Sequence, residues 1–304
     1  MSHSMRGTMG EDERSSILLL DGGMGSELER RGVDISLPLW SARALIDATD
    51  AVRDVHLDYL RAGATAILTN TFRTHRRSLA KEGLGDQAEA LTQTAVEIAL
   101  GSREASGVDA MILGSVAPLE DCYRPDEAPD GEVCRREHEE LIRTLIAGGV
   151  DLIWLETMCS AVESSAAVDA ARECAPEKWG ISFCLSATEP GQLLDGTPIE
   201  SLAHDLADAQ FVGINCVAAH LLAQHVRHVR TVFGASMRIA AYGNVGYADA
   251  DGGWISTDAV APSRFADYAM AWVDAGASMI GGCCGTSPAT IAAMRDRLNL
   301  PSQT

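Results

Sequence analysis

The sequence predicts an α/β protein built as a single (β/α)8 TIM barrel, and three observations predict it. Short, nearly continuous apolar runs bounded by turn residues recur eight times along the chain, as parallel strands buried on both faces require. Stretches of helical periodicity lie between them, and this alternation is the barrel pattern. The chain has 304 residues, and one such barrel needs about 250.

In chain order the runs cover residues 17–21, 66–71, 110–115, 152–156, 180–185, 211–216, 238–242 and 278–282. Between the first two, residues 51–62 set Val52, Val55, His56 and Tyr59 on one side of a helix that stops at Gly63. Helical spacing returns over 87–100, 136–147, 161–173 and 199–209. A last helix is expected over about 288–298, with Ser287 as N-cap and Pro288 at the first helical position. Residues 118–133, rich in Asp, Glu and Pro, are the clearest insertion and leave room for an active-site loop. The rival architecture, a doubly wound open sheet, would carry G-x-G-x-x-G after its first strand. Gly23-Met24-Gly25-Ser26-Glu27-Leu28 lacks the third glycine. Residues 1–16 read as a polar, disordered lead-in without the apolar stretch of a secretory signal. Residues 17–304 read as the barrel domain, with no linker to divide it.

Lys plus Arg number 24 against 43 Asp plus Glu, a formal net charge of −19. So acidic a surface repels phosphate backbones and anionic membranes, so neither nucleic acid nor membrane is an expected partner. No apolar run approaches the roughly 18 residues of a spanning helix. A soluble, cytoplasmic protein is expected. Of the eight cysteines, Cys174 and Cys184 lie in or near apolar stretches and read as small core residues. In a long, signal-free chain the thiols are expected to be reduced.

Chemistry in such a barrel sits at the C-terminal ends of the strands. Those ends carry Asp21-Gly22-Gly23, Thr69-Asn70-Thr71-Phe72, Ser115, Glu156-Thr157, Asn215-Cys216, Tyr242-Gly243-Asn244 and Cys283-Cys284. A lone Asp after a strand is most often a turn former; recurrence at several ends points to a site. Neighbouring side chains on a regular strand face opposite ways, so Cys283 and Cys284 can share an ion only if the backbone leaves strand geometry. Gly281, Gly282 and Gly285 permit that. Cys216 closes the sixth strand, two strands from the eighth, so three sulfurs can meet at the mouth. Zinc takes four tetrahedral ligands, and catalytic sites leave one place open. Buried free thiols or a vicinal disulfide are the bland alternatives. A closed structural zinc site would use C-x-x-C spacings instead.

At these residues the chain resembles the zinc-dependent homocysteine S-methyltransferases. The matching blocks are Leu18-Leu19-Leu20-Asp21-Gly22-Gly23-Met24-Gly25, Thr69-Asn70-Thr71-Phe72, Leu155-Glu156-Thr157-Met158, Gly213-Ile214-Asn215-Cys216 and Gly281-Gly282-Cys283-Cys284-Gly285-Thr286. They fall in family order over about residues 17–297. The resemblance implies a (β/α)8 barrel, a Zn2+ cofactor on Cys216, Cys283 and Cys284, and L-homocysteine and a small methyl donor as partners. It also implies that Asp21 and Glu156 hold the amino-acid part of homocysteine, with Gly22 and Gly23 as substrate-binding residues beside them. Pro38-Leu39-Trp40-Ser41-Ala42 is most similar to the branch that uses S-methylmethionine. Two departures bear on the donor: Asn244 is followed by Val245-Gly246-Tyr247 rather than a Ser-Gly-Glu-like run, and Asp121-Cys122-Tyr123-Arg124-Pro125 matches no loop of a characterised donor site.

The expected activity is methyl transfer to the homocysteine thiol, giving methionine, from S-methylmethionine or S-adenosylmethionine. The alternatives are a betaine-type donor or a different thiol acceptor. A free thiol with pKa near ~8.5 is mostly protonated at neutral pH, and a metal-coordinated thiol is deprotonated. A sulfonium donor then leaves as a neutral thioether and needs no acid. Trp40 and Phe72 are candidates to face a cationic donor through their rings, although packing is the commoner role. Asn215 and Asn244 orient either ligands or substrate, or shape turns. His56, His204, His220 and His225 lie in helical stretches and are not expected as ligands. A zinc hydrolase is the rival enzyme class; three thiolates make a weak Lewis acid, and no H-E-x-x-H occurs. A non-catalytic zinc- or thiol-binding barrel is the remaining alternative.

Overall fold

Each of the eight apolar runs becomes a strand. In the computed structural model, which describes residues 17–248 and 253–301, they are β1 (Leu18–Leu19), β2 (Ala66–Leu68), β3 (Met111–Val116), β4 (Leu152–Met158), β5 (Trp179–Phe183), β6 (Val212–Ala218), β7 (Ile239–Asn244) and β8 (Met279–Gly282). Residues 1–16, read above as a lead-in, lie outside the described residues. All pairings around the sheet are parallel, in the spatial order β1-β8-β7-β6-β5-β4-β3-β2. A bridge between Leu20 and Ala66 joins β1 to β2 and closes the ring. The Asp21 amide donates to the Ala66 carbonyl beside it at 3.0 Å.

The main helices are α1 (Met24–Arg30), α2 (Thr49–Ala62), α3 (Ala88–Ser106), α4 (Gly131–Gly148), α5 (Ala161–Cys174), α6 (Leu222–Phe233), α7 (Pro262–Asp274) and α8 (Pro288–Leu298). α2 buries Val52, Val55, His56 and Tyr59, as its spacing predicts, and ends on Gly63 in the left-handed region. α8 has the predicted Ser287 cap. Two cores result. Between strands and helices lies the larger one, and inside the ring Leu20, Leu113, Trp154, Phe211 and Met279 pack together. The Trp154 and Phe211 ring centroids are 4.0 Å apart; Gly180 has no side chain where a Cβ would strike the Phe211 ring.

Two sequence expectations need correction. Residues 199–209 form a single tight turn, Ile199–Leu202, followed by further turns rather than a helix. The bonds there are mostly of the i→i+3 kind, and Arg172 takes the Asp205 carbonyl and the Asp208 carboxylate. The insertion ends at Asp130, whose carboxylate accepts from the Val133 amide and starts α4. After β7 two short strands, Gly246–Ala248 and Trp254–Ser256, pair antiparallel. Among the described residues no helix is long and apolar enough to cross a membrane.

Candidate metal and substrate site

β6 and β8, with β7 between them, bring three sulfurs to one end of the ring. Cys216 Sγ lies 3.6 Å from Cys283 Sγ and 3.8 Å from Cys284 Sγ, and all three lie within 4.8 Å of one another. A tetrahedral zinc with Zn–S near 2.3 Å would space its sulfurs about 3.8 Å apart. The donor set therefore fits a thiophilic ion with one coordination place left over. All eight cysteines are free. Cys216 is buried while Cys283 and Cys284 are half-buried, so the cluster has one accessible side.

Local backbone irregularity produces this convergence. β8 stops at Gly282, and the next residues turn back, the Thr286 amide donating to the Cys283 carbonyl at 3.2 Å. Both sulfurs can then face the same way. The turn is braced from α1: the Gly285 amide donates to Ser26 Oγ at 2.7 Å, and Arg30 donates to the Gly285 and Thr286 carbonyls. Gly22 and Gly23 pack against it. A Cβ on Gly23 would stand 2.6 Å from the Cys283 carbonyl oxygen, and the Gly23 amide already donates to Thr286 Oγ1 at 3.0 Å. Their observed contacts are thus with the cysteine turn.

On β6, Cys216 has φ 58°, in the left-handed region, where the register with β7 shifts. Thr157 on β4 does the same, with φ 60° at a register shift against β5. Such values are uncommon for residues other than glycine, and bulges re-aim side chains. Asn215 ties the two irregularities together. Its Oδ1 accepts from the Thr157 amide at 2.9 Å and from Ser182 Oγ at 2.8 Å, and its Nδ2 donates to Thr157 Oγ1 at 2.6 Å. Asn215 is therefore a brace between strands. Asn244 acts on the cluster itself, its Oδ1 accepting from the Cys284 amide at 3.0 Å.

Asp21, just after β1, and Glu156, on β4, are both buried. The Asp21 carboxylate accepts from the Leu68 amide at 3.0 Å. Glu156 accepts from Ser115 Oγ and stands 3.4 Å from the Tyr242 hydroxyl. Burial pushes the Glu156 carboxyl up to about 7, against the Ser115 hydrogen bond and with the Cys216 sulfur adding to the rise. Burial likewise raises Asp21 well above the usual carboxylate range, and the charge of Glu156 adds to it. No Arg or Lys forms an ion pair with either among the described residues. Two desolvated carboxyls without a cation are costly unless a ligand supplies one.

The other candidates scatter. Trp40 has φ 50° and lays its indole edge over Gly25, where a Cβ would meet Nε1 at 2.6 Å. Phe72 carries the Arg73 guanidinium 5.3 Å from its ring centroid, so one cation already occupies that face. His56 and His225 are buried and lie outside the cysteine cluster. Sequence reasoning missed Ser115 and Tyr242 as partners of Glu156, and missed Tyr123. The Tyr123 hydroxyl lies 3.1 Å from Cys216 Sγ, while the residue remains 41% exposed. Its signal was its place as the one aromatic in the inserted loop.

The pattern that defines the homocysteine S-methyltransferases matches residues 18–298. A homocysteine S-methyltransferase of Escherichia coli is 33% identical, covering 94% of this chain and 96% of its own length. Homocysteine S-methyltransferase 2 of Zea mays is 31% identical over 95% of this chain and 91% of its own. Among solved structures, the metallated form of the homocysteine methyltransferase MmuM from Escherichia coli superposes with a TM-score of 0.79 at 32% identity, covering 93% of this chain and 96% of that one. The eight-stranded ring, the cysteine turn after β8 and these matches lead to one assignment: the chain belongs to the homocysteine S-methyltransferase family.

Proposed function

We propose that this protein transfers a methyl group from a small sulfonium donor, S-methylmethionine or S-adenosylmethionine, to the thiol of L-homocysteine, giving methionine. One observation carries the reading: three sulfurs at tetrahedral spacing share one end of the ring with two buried carboxyls that have no ion-pair partner among the described residues. Cys216, Cys283 and Cys284 would hold zinc, which when bound supplies deprotonation of the incoming thiol and keeps its sulfur nucleophilic. Glu156 and Asp21 would receive the substrate ammonium, recovering the free energy lost in burying them unpaired. Ser115 donates to one Glu156 oxygen and the Tyr242 hydroxyl makes a long contact of 3.4 Å with the other, so the second oxygen is the more weakly held of the two and would turn to the ligand. Asn244 fixes the Cys284 backbone and so the direction of that sulfur. Trp40 and Phe72 are the proposed donor contacts, and each would have to turn from its present neighbour, Gly25 for the Trp40 indole and the Arg73 guanidinium for the Phe72 ring.

A sulfonium suits this mouth because its leaving thioether is neutral, so the chain need not supply a general acid. The test is a donor panel on zinc-replete protein. Homocysteine is incubated with S-methylmethionine, S-adenosylmethionine, betaine or methyl-tetrahydrofolate, one at a time, and methionine is measured. Methionine from the sulfonium donors is the expected result. Methionine from betaine alone would replace the donor class, and none from any donor would end the reading.

A further inference from the structure

A methyltransferase that activates a thiol among three cysteinates carries a chemical hazard. Every protein sulfur on the ion is itself a nucleophile, and an alkylating donor is brought within reach of all of them. Cys216, Cys283 and Cys284 are not equivalent in this respect. Cys216 alone has a side-chain hydroxyl on its sulfur: Tyr123 Oη lies 3.1 Å from Sγ and 3.4 Å from the Cys216 carbonyl oxygen. Once the sulfur has lost its proton to a metal, only the tyrosine can donate in this pair. Tyr123 reaches it from the insertion before α4, and that loop is pinned at its start, where the Leu119 amide donates to the buried Glu163 carboxylate at 2.8 Å. The loop closes on itself through the Tyr123 amide, which donates to Asp121 Oδ1 at 2.8 Å, and the Arg124 amide, which donates to the Asp121 carbonyl at 2.9 Å.

We propose that Tyr123 is a positioning residue that masks Cys216, its hydroxyl hydrogen bond lowering the nucleophilicity of that sulfur so that the methyl group goes to the substrate thiolate and not to the protein. The suppressed side reaction is explicit. A lone pair on Cys216 sulfur would bond to the donor methyl carbon as the carbon–sulfonium bond breaks. Its electron pair would leave with the neutral thioether, and S-methylcysteine would remain at 216. Hydrogen bonds to charged acceptors are among the stronger ones and hold electron density that an attack would have to withdraw.

The proposal rests on the zinc-thiolate reading, and the experiment separates the two. Zinc-loaded wild type, Tyr123→Phe and Tyr123→Leu are treated with iodoacetamide and, separately, with S-methylmethionine in the absence of homocysteine. Modification at each cysteine is followed by peptide mass mapping, and zinc stoichiometry is measured on the same samples. Tyr123→Phe keeps the ring and should be modified at Cys216 about tenfold faster than wild type, consistent with the loss of one charge-assisted hydrogen bond. Cys283 should change little. An unchanged Cys216 rate in Tyr123→Phe overturns the proposal, and a rise confined to Tyr123→Leu assigns protection to the ring instead, which also overturns it. Wild type that holds no zinc would fail the underlying reading rather than this one.

Discussion

Cys283 is one corner of the sulfur triangle, and its neighbours fix it through the backbone rather than the side chain. Cys283→Ser should therefore leave the barrel folded while zinc content falls from about one per chain toward zero, with methionine formation lost; zinc retained at the wild-type level would remove Cys283 from the ligand set. Glu156 offers a pH signature. Its carboxyl, pushed up to about 7 mainly by burial, is protonated below neutrality and gains the charge an ammonium needs only as pH rises through 7. Binding of L-methionine, which lacks an ionisable thiol, should tighten about tenfold between pH 6 and pH 8. In Glu156→Gln that pH dependence should vanish and binding should stay weak throughout. A calorimetric profile as steep in the variant as in wild type would assign the dependence to another group.

At the scale of elements, the two bulged strands are held by a single side chain. Asn215→Ala removes three buried hydrogen bonds and leaves the Thr157 amide unpaired beside a left-handed backbone. A loss of about 3 kcal/mol in urea unfolding is expected, together with weaker metal retention against a chelator, because Cys216 follows Asn215 directly. A loss below about 1 kcal/mol would show that the bulges hold themselves. These elements differ in how far the sequence exposes them. The eight strands were legible because strands buried on both faces are near-continuously apolar. The cysteine turn was legible because glycine flanks it on both sides. α6 was legible only as a helical stretch around His225 and without bounds, because His225, Arg227, His228 and Arg230 on twelve residues dilute the buried stripe of Leu222, Val226 and Val229. Residues 199–209 misled because helix propensity there is overridden by Arg172 reaching in from α5. Tyr123 could not be placed at all, since the loop conformation that aims it depends on Glu163, distant in sequence.

For the whole molecule, acid sensitivity has an identifiable origin. Burial pushes His56 down to about 4, and burial, with His228 second, does the same to His225. Neither His56 ring nitrogen has a hydrogen-bond partner among the described residues. Both rings are neutral in the fold but take protons in the unfolded chain below about 6.5. Their share of stability is whole above that pH and is lost as pH falls toward 4. Asp21 and Glu156, with raised carboxyls, act in the opposite sense. His56→Leu should consequently lose about 2 kcal/mol less than wild type between pH 7 and pH 5 in denaturant titrations, and parallel declines would clear His56 of the effect. The ring as a unit also has a thinnest joint, the one bridge between Leu20 and Ala66. There the Asp21 carboxylate accepts the Leu68 amide as though it were one more rung of the ladder. The proposed ammonium anchor and the clasp of the barrel are thus one side chain. An amino acid seated at the mouth would compete with the Leu68 amide for that carboxyl, and faster deuterium uptake at the Leu68 amide on ligand binding would read it.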